Sequence, residues 1–591
     1  MVGNSRVKYL TPAVLTLGVL SLFLFSACQQ TPNVSGRFVS EKGVNIEAAL
    51  PVDTFLLAKL GSRDAGQLSN LQTLNSYFPN DPLGSMVKEF NTGFKEGSKL
   101  EEAGLDYDKD ILPILSPKTE VIAAIAPGEG NSMDKIKGIL AMTLADEVKF
   151  DGLLNKQVEK KVFKKESYNN QEYYTQLNES AEKAYILRLK DTAFVFTDLQ
   201  SMKTGLDNLG IDKVGLAGNQ AYQRAMQNYI PSIAFIYGDF AKVTEFLKNT
   251  GSDGDALTKA LGGSRFESNG ADAVESETVV ITVEKEGVRF LATVLGKSGG
   301  DLKKVGGAME KSYLMHKINA KYPLIYSEAY GLRQAYDGFI KIAEKDAEMA
   351  DGIKQMKEFL AAQDLDLEKD VLSFMDKGYA FVLEDTDSVF PALGIYLDAG
   401  SNAAGAAKVA GKIDKGLDEV WREMLVDSPQ LSMLISKETV IPDQLWKYKL
   451  NLDPLLVDAP AEIAKKLSGQ KVELYYGMLP ENIFVIALKP DLEKTYGQSP
   501  IVFDGDEFKK ALSYLKGADF GVTYLAPSQV FVYMDRVLKL VAEANGGHSM
   551  GDMTQYQQAK NYVNPIKSFV TASRGIEKEK LVVEAFLHIG Q

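Results

Sequence analysis

Few side chains in this 591-residue chain have the type and spacing that chemistry requires. Asp106, Asp108 and Asp110 alternate as the acids of a calcium loop do. Such a loop needs a glycine at its sixth position and a glutamate at its twelfth, and here those positions hold Ile111 and Pro117. Gly296-Lys297-Ser298 has the ending of a phosphate-binding loop, but the opening glycine of that loop would fall on Leu291. His548, Met550 and Met553 put soft ligands near one another in a glycine-rich stretch that reads as an exposed loop. His316 and His588 are far from it in sequence. There is no Gly-x-Ser-x-Gly elbow for a hydrolase nucleophile. The single cysteine, Cys28, excludes an internal disulfide and a multi-thiolate zinc site. No catalytic residue, cofactor or metal is therefore expected, and the chain does not read as an enzyme.

The acids belong to a block that occurs twice. Leu105-Asp-Tyr-Asp-Lys-Asp-Ile-Leu112 returns as Leu365-Asp-Leu-Glu-Lys-Asp-Val-Leu372. In this structural reading Asp106 caps a short helix, while Ile111, Leu112 and Leu115 face a core. Strand-like runs follow each copy: Val121–Ala126 and 138–144 in the first, Tyr379–Leu383 and Leu393–Leu397 in the second. Helical patterns are placed over 67–78, around Met86–Phe94, over 148–162 and over 221–229. A hairpin is expected about Lys190-Asp191 and a second over Val279–Leu295. Phe508, Ala511, Leu512 and Leu515 repeat the apolar stripe of Tyr222, Ala225, Met226 and Tyr229. Phe484–Leu488 with Asp491 repeats Phe194–Thr197 with Asp198. Because the echoes keep their order, the expected fold is α+β in two tandem related halves, each an antiparallel or mixed sheet with flanking helices on one face. Two copies are too few for a solenoid. Trp421 and Trp446 read as core residues.

The start of the chain has another character. Arg6 and Lys8 precede an apolar run from Ala13 to Phe25, and Phe25-Ser-Ala-Cys28 follows. Charge, short apolar core and small residues are the parts of a secretory signal. The last four residues resemble a bacterial lipobox, with Phe25 where leucine is usual, and that resemblance implies lipidation of Cys28. An uncleaved membrane helix over about 9–27 is the alternative. The expected organisation is a signal peptide over 1–27, a tether over 28–44, a first α+β domain over 45–300 and a second over 301–591. The formal net charge of −13 leaves no basic face for nucleic acid.

Leu50-Pro-Val-Asp53, the Leu105–Asp110 block leading to Pro113, Ala184-Tyr-Ile-Leu-Arg-Leu189 and Gly218-Asn-Gln-Ala-Tyr-Gln223 resemble the bacterial family known as domain of unknown function 3352. The resemblance covers most of the chain from about residue 48. It implies the fold and an envelope location, and carries no activity. The expected function is that of an exported, lipid-anchored cell-envelope protein, held at the cell membrane or outer membrane, acting as a binding or scaffolding module. The alternative is a carrier sheltering an apolar ligand between sheet and helices.

Overall fold

The computed structural model describes residues 38–81, 107–115, 118–128, 136–177, 183–209, 211, 214–227, 229–243, 274–297, 302, 313–330, 333, 336, 340, 347–375, 377–386, 388–517, 520–544, 553–577 and 579–591. The chain divides into two compact units, 1–302 with 578–582, and 303–577 with 583–591.

Among the described residues ten strands build the first unit: β1 (Leu56–Leu60), β2 (Val121–Ala126), β3 (Lys137–Thr143), β4 (Phe163–Tyr168), β5 (Gln171–Gln176), β6 (Tyr185–Leu189), β7 (Thr192–Phe196), β8 (Ala234–Asp239), β9 (Val274–Glu284) and β10 (Gly287–Gly296). They pair in the order β4-β5-β6-β7-β3-β2-β1-β8-β9-β10, every pair antiparallel. The second unit has β11 (Pro323–Ala329), β12 (Tyr379–Glu384), β13 (Ala392–Asp398), β14 (Ile435–Ile441), β15 (Leu445–Leu450), β16 (Val472–Leu479), β17 (Ile483–Leu488), β18 (Phe520–Leu525), β19 (Ile566–Glu577) and β20 (Lys580–Ile589). Their order is β14-β15-β16-β17-β13-β12-β11-β18-β19-β20, so the same connections are made twice.

Local chemistry explains the element ends. Asn45, Asp64, Asp146, Asp198 and Asn219 each stand before a helix of the first unit and accept a backbone N–H of its first turn. Asn169 and Asn170, at φ 48° and 62°, make the two-residue turn of the β4–β5 hairpin, where both central positions require positive φ. That hairpin and its counterpart β14–β15 were not legible from the sequence. Strand β4 carries only Phe163 and Tyr168 among charged and polar residues, so neither alternation nor an apolar run marks it.

Helices cover both faces of each sheet rather than one. In the first unit the helices Leu199–Asn208 and Gln220–Met226 close one core with Leu57, Phe194, Phe196, Phe235 and Tyr237. The helix Glu147–Glu159 closes a second cluster, with Ile114, Tyr174 and Ala193, on the other face. Central strands with apolar residues on both faces must be covered twice, which overrides the one-sided layout expected from the sequence. In the second unit Tyr326, Tyr396, Val485, Phe508 and Tyr524 fill the inner core. The helix Ala403–Asp427 packs Ala406, Val409 and Ala410 on Trp446, Tyr476 and Phe484 from the other side. Phe38 and Val44, within the segment expected to be a tether, are buried in the first core, Phe38 edge-on to Tyr229 and Phe235. Single apolar residues without periodicity gave no sign of this.

Candidate functional site

The repeated acidic block takes the same form wherever it is described. Tyr107–Ile111 and Leu367–Val371 are both one π-helical turn, each followed by a 3-10 turn, Leu112–Ile114 and Leu372–Phe374. In the second copy Asp366 caps the turn by accepting the N–H groups of Glu368 and Lys369 at 2.9 and 2.8 Å. Glu368 is bound by Arg333 at 2.8 Å, and Asp370 by Lys408 at 2.9 Å. The Lys408 salt bridge joins a hydrogen bond from the Asp366 N–H, and both hold Asp370 below the ordinary carboxylate value, the backbone bond contributing more. In the first copy Asp110 lies 3.8 Å from Lys156. These acids therefore fasten the turn to the helix that follows the next two strands. Leu372 and Phe374 are buried beneath the second turn. Leu105, Asp106 and Cys28 lie outside the described residues, as does His548.

Neither of the other two histidines faces a ligand set. His316 packs on the Phe503 ring at 4.4 Å, and His588 is buried beside Tyr514. Gly296 ends a strand, and Ser298 lies outside the described residues. Among the described residues no cluster of three or more histidine, cysteine or acidic side chains is arranged to hold a metal ion. None of their helices is long and apolar enough to cross a membrane. Trp446 lies in the core, stacked on Tyr476 at 5.7 Å, and Trp421 is half-buried on the Ala403–Asp427 helix.

One buried charge sits on the first strand of each unit. Lys59 of β1 is 2% exposed; its ammonium lies 3.0 Å from the Glu120 carboxylate and donates to the Ser232 carbonyl at 2.9 Å. Glu328 of β11 is 1% exposed. It accepts the hydroxyls of Tyr326 and Tyr330 at 2.5 and 2.6 Å and the N–H groups of Tyr313 and Leu314 at 3.1 and 3.4 Å. Burial, and then the charge beside it, pushes the Tyr326 hydroxyl far above its ordinary value. Both groups are satisfied from within the fold, which is how buried charges persist.

The surface feature without such closure is apolar, and it lies on the second unit. The outer face of its sheet carries a cross-strand row, Leu474–Leu488–Leu393–Leu383–Ile325, each residue directly opposite the next on five adjacent strands. A parallel row, Ile486–Ile395–Phe381, lies beside it. Leu393 and Ile395 are 40% and 44% exposed, Ile486 40% and Leu474 37%. The Ala403–Asp427 helix covers the same face only at the end of the strands marked by Leu397, Phe484 and Tyr476. It is tied there by Asp414 accepting the Tyr476 hydroxyl at 2.7 Å, and by Asp418 at 2.7 Å from Lys437. At the opposite strand ends the helix Pro527–Ala544 is held to the 385–389 loop. Tyr533 donates to the Val389 carbonyl at 2.7 Å, and Arg536 pairs with Asp385. Between these two fastenings the aliphatic strip carries no charge. The sequence marked these strands as apolar but could not say which face would stay uncovered.

Further exposed apolar side chains stand on the helices of this unit, among them Met349, Met356 and Phe359 on Ala347–Ala362, and Val420 and Met424 on Ala403–Asp427. A hollow of about 480 Å³ beside the first of these helices is lined by Ile340, Ala350, Ile353 and Ala361 with Lys354, Lys357 and Glu358.

Among solved structures, three crystal forms (I, III and IV) of the protein TP0453 match at 10% identity. Each covers 43% of this chain and 80–82% of that one, and a TM-score of 0.23 carries no argument about fold or function. No curated protein matches the chain. The family model described as "Protein of unknown function (DUF3352)" matches residues 13–587, nearly the whole length, and the chain belongs to that family.

Proposed function

We propose that the chain is an exported envelope protein, anchored through a lipid on Cys28, whose second unit is a binding module. The observation that carries the binding part is the uncharged aliphatic strip on the outer face of the second sheet, from Leu474 to Ile325. Contiguous apolar rows left on a protein surface are one of the marks of a site that another molecule meets. The reading is one of binding rather than catalysis because the strip offers no nucleophile, base or ligand set. A closed carrier is the second reading; against it, the described cores of both units are packed and the strip lies open to solvent.

Anchoring is supported by Phe25-Ser-Ala-Cys28 after an apolar run. Intact-mass measurement of the mature protein tests it: the expected chain begins at Cys28 with acyl mass, and a mature chain beginning elsewhere without that mass overturns it. Native mass spectrometry of protein extracted from its own membrane tests the binding reading. A retained apolar ligand or a defined partner supports it, and bare protein at every extraction condition counts against it.

A further inference from the structure

We infer that Glu473 keeps its proton at neutral pH, completing a chain of hydrogen bonds from Glu473 through Tyr475 and Glu493 to Lys447, and that this proton makes the joint a pH-sensitive latch in the second unit. A count of hydrogens requires it. Tyr475 of β16 is fully buried, and its hydroxyl lies within hydrogen-bond reach of two carboxyl groups, that of Glu493 and that of Glu473 at 2.8 Å. A phenol has one hydrogen to give. The second contact needs a hydrogen from the carboxyl side.

The surroundings decide which carboxyl supplies it. Glu493 accepts from the Lys447 ammonium at 3.0 Å. Burial opposes its charge, but the bonds from Tyr475 and Lys447 outweigh burial and hold it below the ordinary carboxylate value. Burial, and then the two carboxyl groups, push the Tyr475 hydroxyl far above its ordinary value, so the phenol keeps its hydrogen. Glu493 is therefore the anion that accepts from the phenol, and Glu473 is the acid that donates to the phenol oxygen. The cations around Glu473 are engaged elsewhere. Lys447 pairs with Glu493 and Glu438, Lys449 with Glu438, Lys471 and Lys494 with Asp491, and Lys489 with Glu384. A carboxyl group that is 6% exposed, with no cation of its own among the described residues, is cheaper to bury as the acid.

Glu328 makes the contrast. It is as deeply buried, but it takes two phenols and two backbone N–H groups, enough hydrogens for an anion. Glu473 takes one backbone N–H, that of Asp491 at 2.8 Å. Because Asp491 and Glu493 open the helix Leu492–Thr495, the chain of bonds fastens that helix to β16. Without the proton, two carboxylates face one phenol hydrogen inside the core, and the fastening fails. A carboxyl that is protonated in the fold and ionised in the unfolded chain contributes stability that is complete at acid pH. That stability declines as pH rises, by about tenfold in the folding equilibrium per pH unit.

Infrared spectroscopy of the full chain tests this, since it separates the carbonyl of a protonated carboxyl from carboxylates. At neutral pH the wild type should show a protonated-carboxyl band that is missing in Glu473→Gln and kept in Glu438→Gln. Glutamine offers an N–H to the phenol oxygen and a carbonyl to the Asp491 N–H, so Glu473→Gln should melt no lower than the wild type. Its urea transition, followed by Trp421 and Trp446 of the second unit, should lose about one proton of pH dependence. A band that is equal in the wild type and Glu473→Gln overturns the inference. So does a glutamine variant that melts lower with its pH dependence unchanged. If Glu473→Gln does not fold, Tyr475→Phe decides: removing the acceptor must shift or abolish the band, and an unmoved band overturns the assignment.

Discussion

The two units make the same ten-stranded connections and use them differently. The first strand shows it most sharply. Leu57 lies opposite Ala124 and Tyr237, and Tyr326 lies opposite Val382 and Tyr524. Two residues further along, the first unit buries a cation, Lys59, and the second buries an anion, Glu328. The cation is met by one carboxylate and a carbonyl, whereas the anion is met by two phenols and two backbone N–H groups, with no cation among the described residues. A shared fold thus constrains where a buried charge sits, and leaves its sign to whatever partners the neighbouring loops provide. On the outer face the contrast is steric: Gly138 and Thr197 in one unit, Leu393 and Leu488 in the other.

The largest expected effect breaks the charge comparison. Glu328→Ala removes the acceptor of the buried Tyr326 hydroxyl and of the Tyr313 and Leu314 N–H groups and should cost at least about 3 kcal/mol, at ~1–3 kcal/mol for each of these groups. Both tryptophans, Trp421 and Trp446, belong to the second unit, so tryptophan fluorescence during urea unfolding reports that unit. Lys59→Ala should leave that fluorescence transition in place, because it acts in the first unit. Equal shifts from both variants would show that the two units do not respond separately. Next in size is the acidic turn. Leu372→Ala removes a buried aliphatic and should cost ~2–5 kcal/mol, against ~0.5–2 kcal/mol for losing the Asp366 cap in Asp366→Ala. The reverse order in denaturant titrations would make the acids, not the packing, the reason for the repeat.

Tyr222 sharpens the comparison from the other side. It packs edge-on to Tyr237 at 5.0 Å, as Phe508 packs on Tyr524 at 5.1 Å, and its hydroxyl donates to buried Glu47 at 2.8 Å. Tyr222→Phe copies the second unit into the first and should cost ~1.5–3 kcal/mol, the range for a hydrogen bond to a charged group. Tyr237→Phe removes a buried hydroxyl that has no hydrogen-bond partner among the described residues and should be near neutral, which paired thermal melts of the two variants check. The smallest effect is electrostatic. Lys471 and Lys494 hold Asp491 at about 2, below its ordinary 3.8. A depressed carboxylate contributes stability that is complete above its ordinary value and lost as pH falls through about 2. The acid limb of an unfolding curve between those two values should therefore be shallower in Asp491→Asn, and an unchanged limb would remove Asp491 from the account.

What the sequence showed and what it hid follow from periodicity. The hairpin about Lys190-Asp191, the strands after each acidic block and the stripe at Tyr222 and Phe508 were legible because apolar residues recur there at two or three to four residues. Most strand ends were off by a residue or two, but β9 starts at Val274, ahead of the Val279 at which the expected hairpin began. The match of Asp491 with Asp198 holds in position only. Asp198 caps a helix through the Ser201 N–H, whereas Asp491 sits in a left-handed backbone, at φ 52°, and works through two lysines. The aliphatic strip was hidden for a different reason. Leu393 and Ile395 look like any buried strand residues until the course of the Ala403–Asp427 helix is known.

The first strand of each unit lies in the middle of its sheet, and this fixes an order of events. Ala58 of β1 pairs with Ile236 of β8, and Tyr326 of β11 pairs with Tyr524 of β18. Neither central strand can gain its second neighbour until well over a hundred further residues have been delivered. Closing so long a span costs chain entropy before any contact repays it, and non-local pairing of this kind slows folding. A chain still emerging from the ribosome holds an open sheet edge and an uncovered core. Each unit can complete its core only when its eighth strand arrives.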